Sequence, residues 1–279
     1  MKFTLKDRTG QRYETYAYTG GKPFDANKPT LIFIHGVLND HSVWILQTRY
    51  LAHHGFNVLA VDLPGHGRSA GDAPASVEAA ADFIEALMDA AGLQQAALIG
   101  HSWGSLIALE TAARLKDRIT HAALVGTAFP MKVSPALIEA SLNEPMKALQ
   151  MVNVFSRATL SAPPSALGPG TWVYGASMAL GKRVLASNTQ VNIFHRGFVA
   201  CDSYQRGLEA MAQVTCPVLF VLGALDQMTP ARAAQSLIEQ ARASGQKFEV
   251  VTVPMGHHQM SESPEETLSA LKAFLKVRA

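Results

Sequence analysis

Short runs of aliphatic residues alternate along the chain with longer segments whose apolar residues recur at helical spacing. Parallel strands need long crossover connections, which are usually helices. The alternation therefore predicts an α/β fold with a mostly parallel central sheet and helices on both faces. An early hairpin is predicted around Tyr13, Thr15 and Tyr16. Strands are predicted at residues 31–34, 56–61, 96–100, 122–125, 218–222 and 248–253, and helices at 43–54, 76–91, 103–116, 231–243 and 264–277.

The alternation is interrupted between about residues 129 and 212, where no strand pattern occurs. Helices are predicted here at 135–152, 176–186 and 191–206, and a loop at 161–170, where prolines and glycines prevent a continuous helix. We predict a helical cap, residues 129–212, inserted over one end of a core formed by residues 1–128 and 213–279.

The composition changes this picture little but excludes some partners. The 279 residues carry 24 Lys and Arg against 22 Asp and Glu, without the basic stripe expected of a nucleic-acid-binding protein. The longest nearly apolar run, residues 217–225, is too short to cross a bilayer, and the charged amino terminus lacks a signal-peptide pattern. The expectations are a cytoplasmic protein with a small-molecule substrate, and reduced, buried side chains for Cys201 and Cys216.

A candidate nucleophile lies where a predicted strand meets a predicted helix. Gly100-His101-Ser102-Trp103-Gly104 has glycines two residues on either side of Ser102, which allow strand and helix to approach closely. The hydroxyl would then lie at a helix amino terminus, where the N–H of Trp103 can stabilise an oxyanion. The alternative role for Ser102 is that of a helix cap.

A second oxyanion donor is expected from the turn after the strand at residues 31–34. Gly36 permits a sharp turn there, so the backbone N–H of Val37 can reach the same space. His35 is interpreted as ordering this turn and not as a proton carrier.

The candidate base and acid follow the last two predicted strands. Among ten histidines, His257 comes directly after the final strand and Gly256, with His258 as its neighbouring competitor. Asp226 follows the strand at 218–222 and a short turn, which would place its carboxylate where it can orient the imidazole. Asp226 could instead cap the helix after Pro230, and Asp202 and Asp62 are weaker candidates for the acid.

With Ser102, Asp226 and His257 in this chain order, the sequence resembles the α/β-hydrolase superfamily over nearly its whole length. The resemblance implies a catalytic triad of these three residues, selects His257 over His258, and implies a cap where the helical insertion lies. Ser102 differs from the aspartate nucleophile of dehalogenase-like members, and Val37 offers no side-chain oxyanion donor. The matching segments are His35-Gly36, residues 62–69, residues 100–104, residues 223–230 and Gly256-His257 followed by Glu262 and Pro264.

Two other patterns in the sequence are disfavoured by their surroundings. Residues 65–70, with Glu85 further on, superficially fit a dinucleotide fingerprint, but Pro64 precedes the turn and Glu85 falls inside a predicted helix. His35, Asp40 and His41 could suggest a metal site, although no convergent ligands are evident elsewhere. No cofactor and no metal are therefore predicted.

The expected activity is that of a cofactor-independent serine hydrolase acting on carboxylic esters or lactones. Adaptable apolar residues in the insertion, some of them expected to line a cleft above the sheet, favour small or medium apolar groups, and the lack of a basic cluster gives no support for a strongly anionic substrate. Carbon–carbon bond hydrolysis or perhydrolysis by the same residues, and a non-catalytic small-molecule receptor, remain alternatives. The residues that enrich the insertion are Met131, Met146, Met151, Met178, Met211, Phe155, Trp172 and Phe198.

Overall fold

The computed structural model describes residues 1–6, 10–158 and 173–277 of the chain. Its central sheet has eight strands in the order β1-β2-β4-β3-β5-β6-β7-β8. The β1–β2 and β2–β4 pairs are antiparallel, and all other pairs are parallel. The strands are β1 (Lys2–Lys6), β2 (Arg12–Tyr18), β3 (Thr30–Ile34), β4 (Asn57–Val61), β5 (Ala96–His101), β6 (Ile119–Val125), β7 (Val218–Gly223) and β8 (Phe248–Val253).

The predicted fold class, the early hairpin and the six predicted parallel strands are confirmed, with strand ends within a few residues of those expected. Strands β3, β4, β5 and β7 are buried along their whole length, because helices cover both faces of the sheet. The core helices are α1 (Ile45–His53), α2 (Val77–Ala90), α3 (Trp103–Leu115), α8 (Gly207–Gln213), α9 (Gln235–Ala243), α10 (Gln259–Glu262) and α11 (Pro264–Phe274).

Two apolar layers hold these helices to the sheet. One layer packs α2, α3, α8 and α9 against one face, and the other packs α1 and α11 against the opposite face. Cys201 and Cys216 are buried and free, as predicted. Within the described ranges, no helix is long and apolar enough to cross a membrane.

Four cap helices lie between β6 and the crossover helix α8. They form a third apolar cluster of their own, which also contacts Leu38 and Ala73 of the core. The predicted loop at 161–170 and Trp172 lie outside the described residues. The cap helices are α4 (Pro135–Asn143), α5 (Pro145–Ser156), α6 (Val173–Ala186) and α7 (Ile193–Ser203).

The prediction of one helix over 135–152 is wrong, because the helix is interrupted at Glu144. Pro145 disfavours helical backbone in the residue before it, and Glu144 has φ −137° and ψ 60°. Helix α8 was not predicted. It packs on α3 with Ala210 and Met211 in the core, so the proposed cap of residues 129–212 includes one helix that lies on the sheet layer.

Polar contacts fasten the cap to the core on one side. Arg183 of α6 forms a 2.7 Å ion pair with buried Asp40. Nearby, Arg196 of α7 donates to the carbonyl oxygen of Ala73 at 2.9 Å. The hydroxyl of Ser187 accepts the N–H of Gly67 at 2.9 Å. These contacts hold the cap over the carboxyl ends of the parallel strands.

Candidate active site

Ser102 occupies a strained turn between β5 and α3. Its φ of 53° and ψ of −121° lie in a region that residues with a side chain rarely adopt. The Ser102 N–H donates to the carbonyl oxygen of Val125 at 2.9 Å, and the Ser105 hydroxyl donates to the carbonyl oxygen of Ser102 at 2.5 Å. These contacts fix the turn, and Ser102 lines two cavities that cap residues also border.

Three glycines allow the close approaches around this turn. A Cβ on Gly100 would collide with the backbone of Gly104, and one on Gly104 would collide with the carbonyl oxygens of Ile34 and His35. A Cβ on Gly36 would lie 3.2 Å from the Cβ of Ser102. The turn after β3 therefore lies directly against the serine turn, as the sequence predicted.

The backbone N–H groups of Trp103 and Val37 meet no protein acceptor among the described residues. Trp103 is the first residue of α3, so its N–H is one of the donors that a helix leaves unpaired. Both groups are thus available to an anionic oxygen beside Ser102.

His35 fixes the turn that presents Val37. Leu63 donates its N–H to His35 Nε2 at 3.1 Å, so the ring proton is on Nδ1, which donates to the carbonyl oxygen of Gly36 at 2.8 Å. Burial lowers the pKa of His35 and keeps the ring neutral. The structure confirms the prediction that His35 orders this turn.

Asp226 and His257 form a buried hydrogen-bonded pair. His257 Nδ1 lies 2.8 Å from Asp226 Oδ2. The other carboxylate oxygen accepts the N–H groups of Met228 at 2.8 Å and Thr229 at 2.9 Å, and the Thr229 hydroxyl donates to Oδ2 at 2.8 Å. Burial opposes ionisation of Asp226, but the charge and hydrogen bond of His257 and the donors of Thr229 outweigh it, so the Asp226 pKa lies below its ordinary value.

This pairing also distinguishes the two adjacent histidines. The ring of His258 does not meet Asp226 in the described part of the structure. Its backbone N–H instead donates to Glu262 at 3.2 Å. Burial, followed by the charge of Arg157, holds the His258 pKa well below its ordinary value. The ring that lies against the carboxylate is therefore that of His257, the one the sequence favoured.

Ser102 and His257 face the same space, although no hydrogen bond joins their side chains within the described residues. Such contacts are often long without substrate and shorten in the reacting complex. On the core side, His101 supports the backbone of His257, because its Nε2–H donates to the His257 carbonyl oxygen at 2.7 Å. On the cap side, the carbonyl oxygen of Ser156 accepts the His257 N–H at 2.7 Å.

The other candidate acids serve elsewhere. Asp202 accepts the N–H of Val133 at 3.1 Å within the cap. Asp62 accepts the backbone N–H and the Nδ1–H of His41, at 2.8 and 2.7 Å, and the N–H of Arg68 at 2.9 Å. Neither aspartate is brought to Ser102.

The cluster of histidine and aspartate side chains near β3 does not have the members that the metal-site hypothesis named. The structure groups Asp40 and His41 with Asp62, while His35 binds Leu63 and Gly36. Asp40 and Asp62 already accept protein hydrogen bonds, and Asp40 is paired with the guanidinium of Arg183. This cluster therefore fastens the cap side of the core through protein contacts.

Two cavities meet at the candidate nucleophile. The larger is about 320 Å³ and the smaller about 260 Å³. Met131, Met151 and Phe155 of the cap line the smaller one, in agreement with the expectation that some apolar cap residues border a cleft. The residues shared by both cavities are Val37, Ser102, Phe198, Met228 and His257.

Arg157 is a residue of this site that the sequence did not single out. It follows the last residue of α5 and lines the larger cavity. Its Nη2 donates to Ser177 of the cap at 2.5 Å, and its Nη1 donates to Ser261 of the core at 3.2 Å. A lone arginine in a helical insertion gives no sequence signal, because only the fold shows that it borders the cavity.

A family model described as the alpha/beta hydrolase fold matches residues 29–169. The chain belongs to this family. The turn that carries Ser102, the turn after β3 and much of the cap fall within the matched region of this α/β-hydrolase.

Solved structures share the fold along nearly the whole chain. An esterase from Exiguobacterium antarcticum superposes with a TM-score of 0.80 at 18% identity, covering 99% of this chain and 100% of the esterase. The enol-lactonase from Burkholderia xenovorans gives a TM-score of 0.77 at 21% identity, covering 95% and 97%. Protein ABHD8 of Bos taurus is 26% identical over 253 residues, covering 88% of this chain and 55% of that protein, so the chain spans about half of that relative's length.

Proposed function

We propose that this α/β-hydrolase is a serine hydrolase that cleaves carboxylic esters or lactones with small to medium, largely apolar groups. One observation carries the proposal. The hydroxyl of Ser102 and the Asp226-paired imidazole of His257 border the same two cavities as Val37. The N–H groups of Val37 and of Trp103, the residue after the serine, meet no acceptor in the part of the chain that the structure describes. An ester has one group on each side of its carbonyl carbon, and two cavities meeting at the nucleophile can hold both.

In the proposed first step, Ser102 Oγ attacks the ester carbonyl carbon and His257 Nε2 takes the hydroxyl proton. Nε2 is the acceptor because Nδ1 carries the proton shared with Asp226, which also stabilises the imidazolium. The N–H groups of Val37 and Trp103 hold the oxyanion. The carbon–oxygen bond to the leaving group then breaks, and His257 returns its proton to the alkoxide.

In the second step, His257 takes a proton from water, which attacks the acyl-enzyme carbonyl. The bond to Ser102 Oγ breaks, the serine regains a proton from His257, and the carboxylic acid leaves. For a lactone, the alcohol and the acid are two ends of one product. Aliphatic and thioether side chains around the carbonyl exclude bulk water and strengthen the hydrogen bonds to the oxyanion.

Labelling with a fluorophosphonate probe tests the nucleophile. The wild-type protein should be labelled, and Ser102→Ala should not. Ser42→Ala is a matched control, because Ser42 also lines the larger cavity but its hydroxyl donates to the carboxylate of Asp40. Equal labelling of the wild type and Ser102→Ala would reject Ser102 as the nucleophile.

A substrate panel tests the reaction class. We expect turnover of short p-nitrophenyl esters and simple lactones, and a weaker rate or none with a vinylogous diketone. Faster cleavage of the diketone would favour carbon–carbon bond hydrolysis. An ester that binds without turnover would favour the receptor alternative.

A further inference from the structure

Arg157 lines the larger cavity, and the protein leaves some of its hydrogen-bond donors unused. A guanidinium has five N–H groups, and the contacts to Ser177 and Ser261 occupy one on each Nη atom. The Nε–H is buried and meets no acceptor among the described residues, and no further protein acceptor there contacts the second N–H of either Nη atom. A buried donor without a partner is costly, so its retention needs an explanation. Since the Nε–H is shielded from solvent, the groups that the guanidinium can offer to a ligand are the remaining N–H groups of its Nη atoms.

The charge of Arg157 is likewise not paired directly. Within the described residues, no carboxylate oxygen lies within 4.0 Å of its guanidinium. Burial lowers the pKa of Arg157 and the charge of Glu262 opposes that shift, but an arginine stays protonated in proteins. Charges held away from water are normally paired, which makes the half-buried guanidinium of Arg157 an unusual feature of a cavity wall.

Glu262 compensates the charge only from a distance. This buried carboxylate also lines the larger cavity, and its oxygens accept the N–H groups of Ala158 at 2.9 Å and His258 at 3.2 Å. Glu262 thus uses none of the N–H groups of Arg157. Its negative charge on the same wall would repel a dianion, whereas a monoanion held against the guanidinium could be accommodated.

We propose that Arg157 binds a carboxylate of the substrate, so that the preferred ester or lactone carries a carboxylate on the group that occupies the larger cavity. This inference rests on the proposed function. The planar guanidinium matches a carboxylate, and its free N–H groups supply charge-assisted hydrogen bonds. The rest of the substrate remains apolar, in keeping with wall residues such as Leu149, Val152 and Leu180.

The contacts of Arg157 explain how it would be held in place. Ser177 belongs to α6 of the cap and Ser261 to α10 of the core, so the guanidinium bridges both parts at the cavity. Arg157 also follows Ser156, whose carbonyl oxygen accepts the N–H of His257. A carboxylate bound at Arg157 would thus be anchored to the segment that contacts the candidate base.

Two matched pairs of esters test the inference, because the acyl and alkoxy groups could each occupy the larger cavity. The acyl pair is monoethyl adipate against ethyl hexanoate. The alkoxy pair is 3-carboxyphenyl butyrate against phenyl butyrate. Binding of each intact ester to Ser102→Ala is measured by calorimetry, and hydrolysis by the wild type is measured by acid titration.

In at least one pair, the carboxylate ester should bind about 10- to 100-fold more tightly than its neutral partner, the range expected of hydrogen bonds to a charged group. Wild-type kcat/KM should show the same preference, mainly through KM. Introducing Arg157→Met into the Ser102→Ala protein should remove the preference in binding, and introducing it into the wild type should remove the preference in kcat/KM. Lys182→Met, which removes an exposed cation from α6, should retain it.

A ratio near one or below in both pairs would overturn the inference, as would a preference that persists in Arg157→Met. If Arg157→Met fails to fold, the ratio in Ser102→Ala and an intermediate ratio in Arg157→Lys decide the question. Tight binding of the carboxylate ester without any hydrolysis or fluorophosphonate labelling would support Arg157 and reject the proposed function.

Discussion

The backbone N–H of His257 donates a 2.7 Å hydrogen bond to the carbonyl oxygen of Ser156, the last residue of α5. The loop that carries the candidate base is therefore attached to the end of a cap helix. Gly256 makes this contact possible, because a Cβ there would lie 2.6 Å from the nitrogen of Ala158 and 2.7 Å from the carbonyl oxygen of Ser156. The position of the cap and the position of the imidazole are thus linked.

Gly256→Ala should lower kcat by about 10- to 100-fold, because displacing a reacting group by about 1 Å can have an effect of that size. The measurement is ester hydrolysis, with thermal unfolding recorded on the same protein. Met255→Leu, a change next to Gly256 that adds no Cβ, is the control and should keep the wild-type rate. Full activity of folded Gly256→Ala would mean that the loop and the cap move independently.

Asp226→Asn should lower kcat by about 10³- to 10⁴-fold, since an amide neither fixes the His257 tautomer nor stabilises its cation. Ester hydrolysis and the rate of fluorophosphonate labelling both measure the effect. Asp117→Asn, which changes an exposed carboxylate, should leave both rates unaltered. A loss smaller than tenfold in Asp226→Asn would argue against Asp226 as the orienting acid.

The backbone of Ser102 predicts an unusual order of stability. Glycine tolerates positive φ, so Ser102→Gly should be more stable than Ser102→Ala by about 1 kcal/mol. Inside α3 the order should reverse, and Ala108→Gly should cost about 1 kcal/mol or more. Denaturant unfolding measures both pairs. If Ser102→Ala were the more stable of its pair, the turn would hold no strain.

Buried histidines predict a loss of stability in mild acid. Burial, followed by the charges of His35 and His257 respectively, lowers the pKa of His66 and of His101 to about 3. The unfolded chain binds protons below about pH 6.5 while these folded rings stay neutral, so stability falls as the pH drops from about 6.5. Each histidine contributes up to about 1.4 kcal/mol per pH unit.

The free energy of unfolding in urea, measured at several pH values between about 7.5 and 5, checks this loss of stability. Most carboxyl groups titrate below that window. His66→Asn should reduce the slope by about one proton. A free energy of unfolding that is constant across this window would contradict burial of neutral histidines.

The sequence predicted the sheet and the candidate triad because both depend on local patterns. Buried parallel strands are continuous aliphatic runs, and Ser102, Asp226 and His257 each follow such a run at its carboxyl end. Parallel strands bring those ends to one edge, so the position of each residue after a strand places all three at the same edge of the sheet. The break at Pro145 also had a local signal, which the helical spacing of the flanking residues masked.

Other features depend on contacts between distant segments. Arg157 and Ser261 are 104 residues apart, and nothing in the local sequence of either indicates a shared cavity. The bond between Ser156 and His257 uses only backbone atoms, so no residue type reports it. Helix α8 was missed because it is short and follows directly on the last cap helix.

The cap enters the chain after β6 and ends before the crossover helix that leads to β7, while the three residues of the proposed triad all come from the ends of core strands. Exchange of α4–α7 for another insertion would leave strand order and reaction chemistry in place. Substrate preference could then be transplanted between relatives as one contiguous stretch of polypeptide, provided that the new segment still supplies a carbonyl oxygen to the histidine loop.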